Sequence, residues 1–129
     1  MAKSTYLDNA VLNAVLTAST YTSPSTVYVA LYTATPGPGG GGTEVSTSGT
    51  GYQRTAMTFS TSTTATTSNS ADCTFAVALS GWGTIGYFGL FDNQTAGNLL
   101  YYGSLTASKT INTGDQLKFA STGLTVTES

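Results

Sequence analysis

Histidine is absent from this chain and cysteine occurs once, which removes most familiar routes to catalysis and metal binding. Without histidine there is no imidazole base, no Ser–His nucleophile pair and no His-based zinc site. With Cys73 alone, neither an intrachain disulfide nor a Cys-based zinc site can form, and the thiol is expected to be buried. The six carboxylates occur singly, so a glycosidase pair would need two of them to meet in space. We predict a protein that is not an enzyme, with no catalytic residue, no cofactor and no metal.

Charge is scarce as well. Charged residues make up 8% of the chain, where a soluble domain typically has about 25%. The net charge is −2 and the four basic residues are scattered, so no basic stripe is present to bind nucleic-acid phosphates. Ser and Thr make up about a third of the sequence. A surface so poor in charge is weakly protected against self-association, which favours a protein whose surface lies against partners.

Long apolar runs are missing too. No stretch of 18 apolar residues occurs, so no membrane span is predicted, and Asp8, Asn9 and Asn13 interrupt the opening segment, which therefore does not read as a secretory signal. The single cysteine fits assembly inside a cell. The hydrophobic content of 40%, with eight Tyr and five Phe, is too high for disorder. The length predicts one domain over residues 1–129.

The segment "PGPGGGG" carries the spacing G-x-G-x-x-G after a predicted strand. A dinucleotide site needs a helix after the third glycine, because the helix N-terminus holds the pyrophosphate. Residues 43–54 have no helical periodicity, and Thr43 stands where a P-loop needs Lys. The segment is therefore predicted to be a glycine-rich loop at 36–43. We hypothesise that it contacts other subunits during assembly, with a dispensable surface loop as the alternative; the residues are Pro36, Gly37, Pro38, Gly39, Gly40, Gly41, Gly42 and Thr43.

One short helix is predicted near the N-terminus, at about residues 5–17. Ser4 or Thr5 can cap it and Asp8 lies in its first turn. An apolar stripe with helical spacing runs along it, made of Leu7, Val11, Ala14 and Val15. Packing on its own sheet is the favoured interpretation of this stripe, and docking on a partner is the alternative.

The rest of the chain is predicted to be β-structure. Residues 26–33 are apolar on both faces, which is typical of a central strand, whereas the polar residues 61–70 suggest an exposed edge. Residues 85–92 and 99–105 flank the turn "NQTAGN" and predict a hairpin. Short strands with Gly, Ser and Asn turns predict a single antiparallel β-sandwich, jelly-roll or immunoglobulin-like. Its core is expected to contain Val29, Leu31, Phe75 and Phe88, and the alternation in residues 73–79 places Cys73, Phe75 and Val77 on one face of a strand.

Two further patterns bear on the binding of calcium or carbohydrate. "DNQTAGN" has Gln and Ala where calcium ligands should stand, so it is predicted to be a turn. Trp82, Tyr87 and Tyr101 could form an aromatic platform for carbohydrate; burial in the core is the favoured interpretation.

The order of "YLDNAVLNAVL", "NSADCTF" and "ASKTINTGDQLKF" along the chain resembles a group of small tailed-phage virion proteins, described as tail-fibre or head-decoration (cement) proteins. The similarity covers roughly residues 6–126. Its most specific pieces are "VALYT…P…GTEVS…GY.R" and "FGLFD…G..L.YG.L". The resemblance implies a β-sandwich structural subunit of the virion without enzymatic activity, made in the host cytoplasm.

The chain is one compact domain without repeats or heptads. That favours a head-decoration protein, which binds the major capsid protein on the outer surface and acts in many copies. A tail or tail-fibre component involved in host adsorption is the alternative. We expect self-association, as a homotrimer at a local three-fold axis, with neither nucleic acid nor membrane as a partner.

Overall fold

The structure is a computed structural model and describes residues 2–127. Within that range the chain forms one α-helix and ten strands, all strand pairings being antiparallel. The elements in chain order are β1 (Ala2–Lys3), α1 (Thr5–Leu16), β2 (Val27–Ala34), β3 (Thr43–Glu44), β4 (Thr55–Met57), β5 (Thr66–Ser68), β6 (Cys73–Thr74), β7 (Gly83–Phe91), β8 (Leu99–Ile111), β9 (Lys118–Phe119) and β10 (Thr125–Thr127).

Six strands form the main sheet, in the order β1-β8-β7-β2, with β3 and β4 both pairing with the other edge of β2. The β7–β8 hairpin predicted around the turn at 93–98 is confirmed. Strand β2 is central, as predicted, because its neighbours cover both edges and other residues cover both faces. Side chains alternate along a strand, so Val29 and Leu31 face the large core while Ala30 and Tyr32 face a smaller cluster on the opposite side.

A second layer covers one face of this sheet. It consists of two short pairs, β5–β10 and β6–β9, together with the loops between them. The large core lies between the layers and takes Phe75 and Leu124 from the second layer and Ile85 and Phe88 from the main sheet. The predicted class, mainly β and antiparallel with one short N-terminal helix, is confirmed, and the four residues predicted for the core are all buried in it.

Two strand predictions need correction. Residues 61–70 are mostly exposed, as expected, but only Thr66–Ser68 is a strand and Asn69 is fully buried. Its side-chain amide donates to the carbonyls of Ala71 (2.9 Å) and Ala120 (2.8 Å), which satisfies the buried group. Val77 was expected to share a buried face with Cys73, but β6 ends at residue 74 and Val77 is exposed.

The helix begins and ends close to the predicted bounds. The Ser4 hydroxyl caps it by accepting a hydrogen bond from the Leu7 N–H (3.1 Å), as expected for a residue of this type. At the other end Thr17 Oγ1 donates to the Asn13 carbonyl (2.7 Å). At 12 residues, α1 is too short to cross a membrane, and it is the only helix in residues 2–127.

Candidate assembly surface

The first turn of α1 is fixed to the body of the domain. Ser4 is buried, its N–H donates to the Leu100 carbonyl on β8 (2.8 Å), and its hydroxyl donates to the Leu99 carbonyl. The next N–H, of Thr5, donates to the Pro38 carbonyl (2.9 Å). Because the first N–H groups of a helix have no partner within the helix, these contacts both satisfy them and set the direction in which α1 leaves the sheet.

Beyond Leu7 most of the helix is exposed, including its large apolar side chains. Of the predicted stripe only Leu7 is buried, so the expectation that the stripe packs on its own sheet is wrong. The large apolar residues exposed on the helix are Tyr6 (42% exposed), Val11 (38%), Leu12 (54%), Val15 (73%) and Leu16 (73%).

Charge is sparse on this surface and along the chain that follows it. Asp8, at i+4 spacing from Leu12, is the only charged residue in α1, and the next one along the sequence is Glu44. Scattered single apolar residues are normal on a protein surface, whereas several large exposed apolar residues on one helix indicate a site of interaction. The alternative interpretation of the helix, docking on a partner, is therefore the one that the structure favours.

The glycine-rich loop lies beside the start of this helix. Pro36 is buried, Gly37 is half-buried, and residues 38–43 are exposed, with Thr43 opening β3. The loop turns on itself through a hydrogen bond from the Gly40 N–H to the Gly37 carbonyl (3.2 Å). It thus presents an exposed backbone next to α1, and its role as an assembly contact stays a prediction.

One glycine of the loop is required by its geometry. Gly42 has a φ of +76°, and a Cβ there would lie 2.3 Å from the carbonyl oxygen of Thr35. Only glycine tolerates both conditions. The strand β3, not a helix, follows this residue, which agrees with the sequence argument that the loop is not a dinucleotide site.

A second feature joins the two most specific motif pieces of the sequence. Arg54 forms a two-pronged ion pair with Glu44, with Nε to Oε2 at 3.0 Å and Nη2 to Oε1 at 2.9 Å. The Tyr52 hydroxyl donates to Glu44 Oε2 (2.6 Å) and accepts from the Leu31 N–H (3.0 Å). Burial, then the hydrogen bond to the neighbouring carboxylate, raises the pKa of Tyr52 well above its usual value.

The same guanidinium holds the β7–β8 turn. Its centre lies 3.6 Å above the Phe91 ring, a cation–π contact, and Nη1 donates to the carbonyls of Ala96 (2.6 Å) and Asn93 (3.2 Å). The Arg54 side chain is 10% exposed and the Glu44 side chain 26%. A polar cleft of about 400 Å³ lies alongside. Because the cation and the carboxylate are already paired with each other, the cluster supports the fold instead of offering a free charge.

The aromatic platform, the less favoured interpretation of Trp82, Tyr87 and Tyr101, does not form. Trp82 is buried, its indole N–H donates to the Thr50 carbonyl (2.9 Å), and its ring meets Tyr52 edge-on at 5.4 Å, so the core interpretation is confirmed. Tyr87 packs against the smaller cluster and Tyr101 against the large core, on opposite faces of the sheet. These three side chains therefore share no surface on which a sugar could stack.

The carboxylates in residues 2–127 are all in structural contacts. Asp92 accepts a hydrogen bond from the Asn98 N–H (2.7 Å) within the segment "DNQTAGN". This segment is a turn, as predicted. The other contacts are Asp8 with Lys3, Glu44 with Arg54, Asp72 with Lys118, and Asp115 with the Asn112 N–H. Within the described residues no three candidate ligands lie together in a way that could hold a metal ion.

Sequence reasoning missed the Arg54 cluster and treated the helix stripe as core. The pairing of Glu44 with Arg54 had a signal, since both lie in one motif piece, but nothing in the sequence gave their separation in space. No sequence pattern indicated the exposure of α1, because an apolar stripe has the same spacing whether it packs on its own domain or on a partner protein.

Comparison with known proteins identifies a family. The family model described as "Podophage GP4 fiber I protein gp80" matches residues 2–127. No curated protein matches the sequence. The family match spans both motif pieces and α1, and it confirms the resemblance to tailed-phage virion proteins that the sequence suggested.

Proposed function

The chain belongs to the Podophage GP4 fiber I protein gp80 family, a phage virion structural family, and we propose that it is a non-enzymatic subunit of the fibre apparatus on the tail of a podophage. The observation that carries the proposal is the match itself, which covers the whole of the described fold. The family description names a fibre protein, which supports a place in the fibre, and head decoration, preferred on the sequence, is kept as the second candidate.

The chemistry of the described residues supports a structural role. Every carboxylate in residues 2–127 contacts a cation or an amide, and Tyr52 is tied to both Glu44 and the backbone. A general acid or base needs a pKa near the working pH and reach to a substrate. Burial instead raises the pKa of the Tyr32 hydroxyl to about 12 and that of the Cys73 thiol to about 11, so both stay protonated at neutral pH.

The exposed face of α1 supports the assembly part of the proposal. A subunit that works alone has no use for a helix with Val15 and Leu16 mostly in water, because the exposed apolar area favours aggregation. A subunit of a larger structure covers such a face on assembly. The scarcity of charge fits the same role, since burying uncharged surface carries no ion-desolvation cost.

Head decoration is the second candidate, and one observation favours it. The two layers of residues 2–127 share one large core, which suits a small unit repeated over a shell. In that role the partner would be the major capsid protein and the subunit would form trimers at local three-fold axes. The glycine-rich loop at 36–43, exposed beside α1, would contribute to either kind of assembly.

Immunogold labelling of intact virions separates the two candidates. Antibodies against the purified chain, visualised by negative-stain microscopy, are expected to place gold at the tail. Gold spread evenly over the head would reject the fibre assignment and support decoration. Virions from a host expressing a tagged copy, labelled through the tag, control for antibody cross-reaction.

A further inference from the structure

A small apolar groove opens at the edge of the sandwich, where the two layers separate. Its volume is about 140 Å³, and no charged residue lines it. The main sheet provides one wall and the second layer the other. The lining residues are Val27, Phe59, Thr67, Leu90, Leu100, Tyr101 and Val126.

This groove is the right size for one or two aliphatic side chains. An apolar cavity of about 150 Å³ holds a benzene molecule and stays dry, so 140 Å³ suits a Leu or Val side chain and not a polar ligand. Drug-sized ligands need about 300 Å³ or more, which makes a small-molecule site a poor fit. The ligand that fits this groove best is an apolar side chain that projects from a protein surface.

The same chain has such a projection. Val15 and Leu16 stand at the end of α1, each 73% exposed, with Leu12 one turn earlier. Neither α1 beyond Asp8 nor the groove lining contains a charged residue, so joining them buries no ion. The helix end and the groove thus match in size and are both apolar and uncharged.

Pairing of α1 with the α1 of another copy would bury too little surface area for a stable interface. A helix of 12 residues is about 18 Å long and about 10 Å across. Stable protein interfaces bury about 800 Å² on each side, several times the face of such a helix. In our proposal the helix end meets the body of a neighbour, where surface beside the groove is available to be buried as well.

We propose that the end of α1 in one copy inserts its apolar side chains into the groove between the layers of a second copy. The contact joins two different surfaces, so it is head-to-tail, and repetition closes a ring or continues as a row of subunits. A three-membered ring is one closed form of it. The inference rests on the fold and holds whether the subunit lies on the tail or the head.

Charge placed at the helix end tests the first half of the contact. Sedimentation of the full chain over a range of concentrations gives the association constant of the wild type. Leu16→Asp is expected to weaken association at least about tenfold, because a buried leucine is replaced by a charge. Leu79→Asp is the matched control, since Leu79 is 69% exposed in a loop outside the contact, and it should associate like the wild type. Equal loss in both variants, or a wild type that stays monomeric at every concentration, would overturn the proposal.

Cross-linking tests the second half. A mixture of Leu16→Cys and Thr67→Cys chains, treated with a short bifunctional maleimide, should yield a covalent dimer that neither variant forms alone. The native Cys73 is buried, so wild-type chains give the background. Dimers from Leu16→Cys alone would show that helices pair with each other and would refute insertion into the groove. Thr67→Phe, which fills the groove, should weaken association as Leu16→Asp does while the melting temperature shows that the variant is folded.

Discussion

Replacing Arg54 by Met removes the charge of the ion pair while keeping most of the apolar stem. The guanidinium makes two hydrogen bonds to Glu44, two to carbonyls of the β7–β8 turn, and a cation–π contact with Phe91. After the change the Glu44 carboxylate, three-quarters buried, keeps only the Tyr52 hydroxyl as a donor. The variant therefore leaves a largely buried anion without a counter-charge.

The size of the loss follows from that exposure. Removing one partner of a fully buried ion pair costs about 3–5 kcal/mol. The partial exposure of Glu44 lets water reach it, which places the expected loss at the lower end, about 3 kcal/mol. A domain of this size loses roughly 3–4 °C of melting temperature per kcal/mol, so Arg54→Met should melt about 10 °C below the wild type.

Thermal and urea unfolding, followed by circular dichroism, measure the effect. Adding Glu44→Gln to the variant removes the unpaired charge and should restore part of the lost stability, so the two changes are not additive. Lys118→Met is the control, because it removes the cation of an ion pair with Asp72 in which both side chains are about half exposed, and it should melt like the wild type. A melting temperature for Arg54→Met within 2–3 °C of the wild type, or full additivity with Glu44→Gln, would refute the reasoning.

Three other outcomes follow from the structure. Gly42→Ala should lower the melting temperature clearly, because of the positive φ and the 2.3 Å approach to Thr35, whereas Gly39→Ala, with nothing near its Cβ position, should leave it unchanged; equal effects would contradict this account. Cys73 should react with thiol reagents at pH 8 only as fast as the protein unfolds, since it is buried and its pKa is about 11; rapid labelling of the folded chain would count against it. Burial raises the pKa of Tyr32 to about 12, so the stability that its neutral form contributes is complete below pH 10 and is lost as the pH rises through 12. The absorbance of the Tyr32 phenolate and unfolding should therefore appear together. Titration of every Tyr near pH 10 would disprove this prediction.

Much of the fold was predictable because β-structure with both faces covered has a plain sequence pattern. The apolar residues on both faces of β2 indicated a central strand, and the turn between β7 and β8 indicated the hairpin. The placement of residues 66–70 was not predictable in the same way. Their polar sequence suggests solvent, but Asn69 lies in the core because its amide replaces water with two backbone carbonyls, and such partners are remote in sequence.

The candidate assembly surface was only half predictable. The sequence identified the glycine-rich loop and the apolar stripe of α1 as features that need an explanation. It could not show that Leu7 is buried while Val15 and Leu16 lie in water. Whether a stripe is core or interface depends on what the rest of the chain packs against it, which is a property of the whole fold.

The central claim is that this chain is a structural subunit of the fibre apparatus on the virion tail. Cryo-electron microscopy of whole virions, with focused reconstruction of the tail, tests it most directly. The account predicts density at the tail that fits the two-layer domain of residues 2–127, in several copies, with α1 in contact with a neighbouring subunit. Density for this domain on the head shell, or a virion without it, would contradict the account.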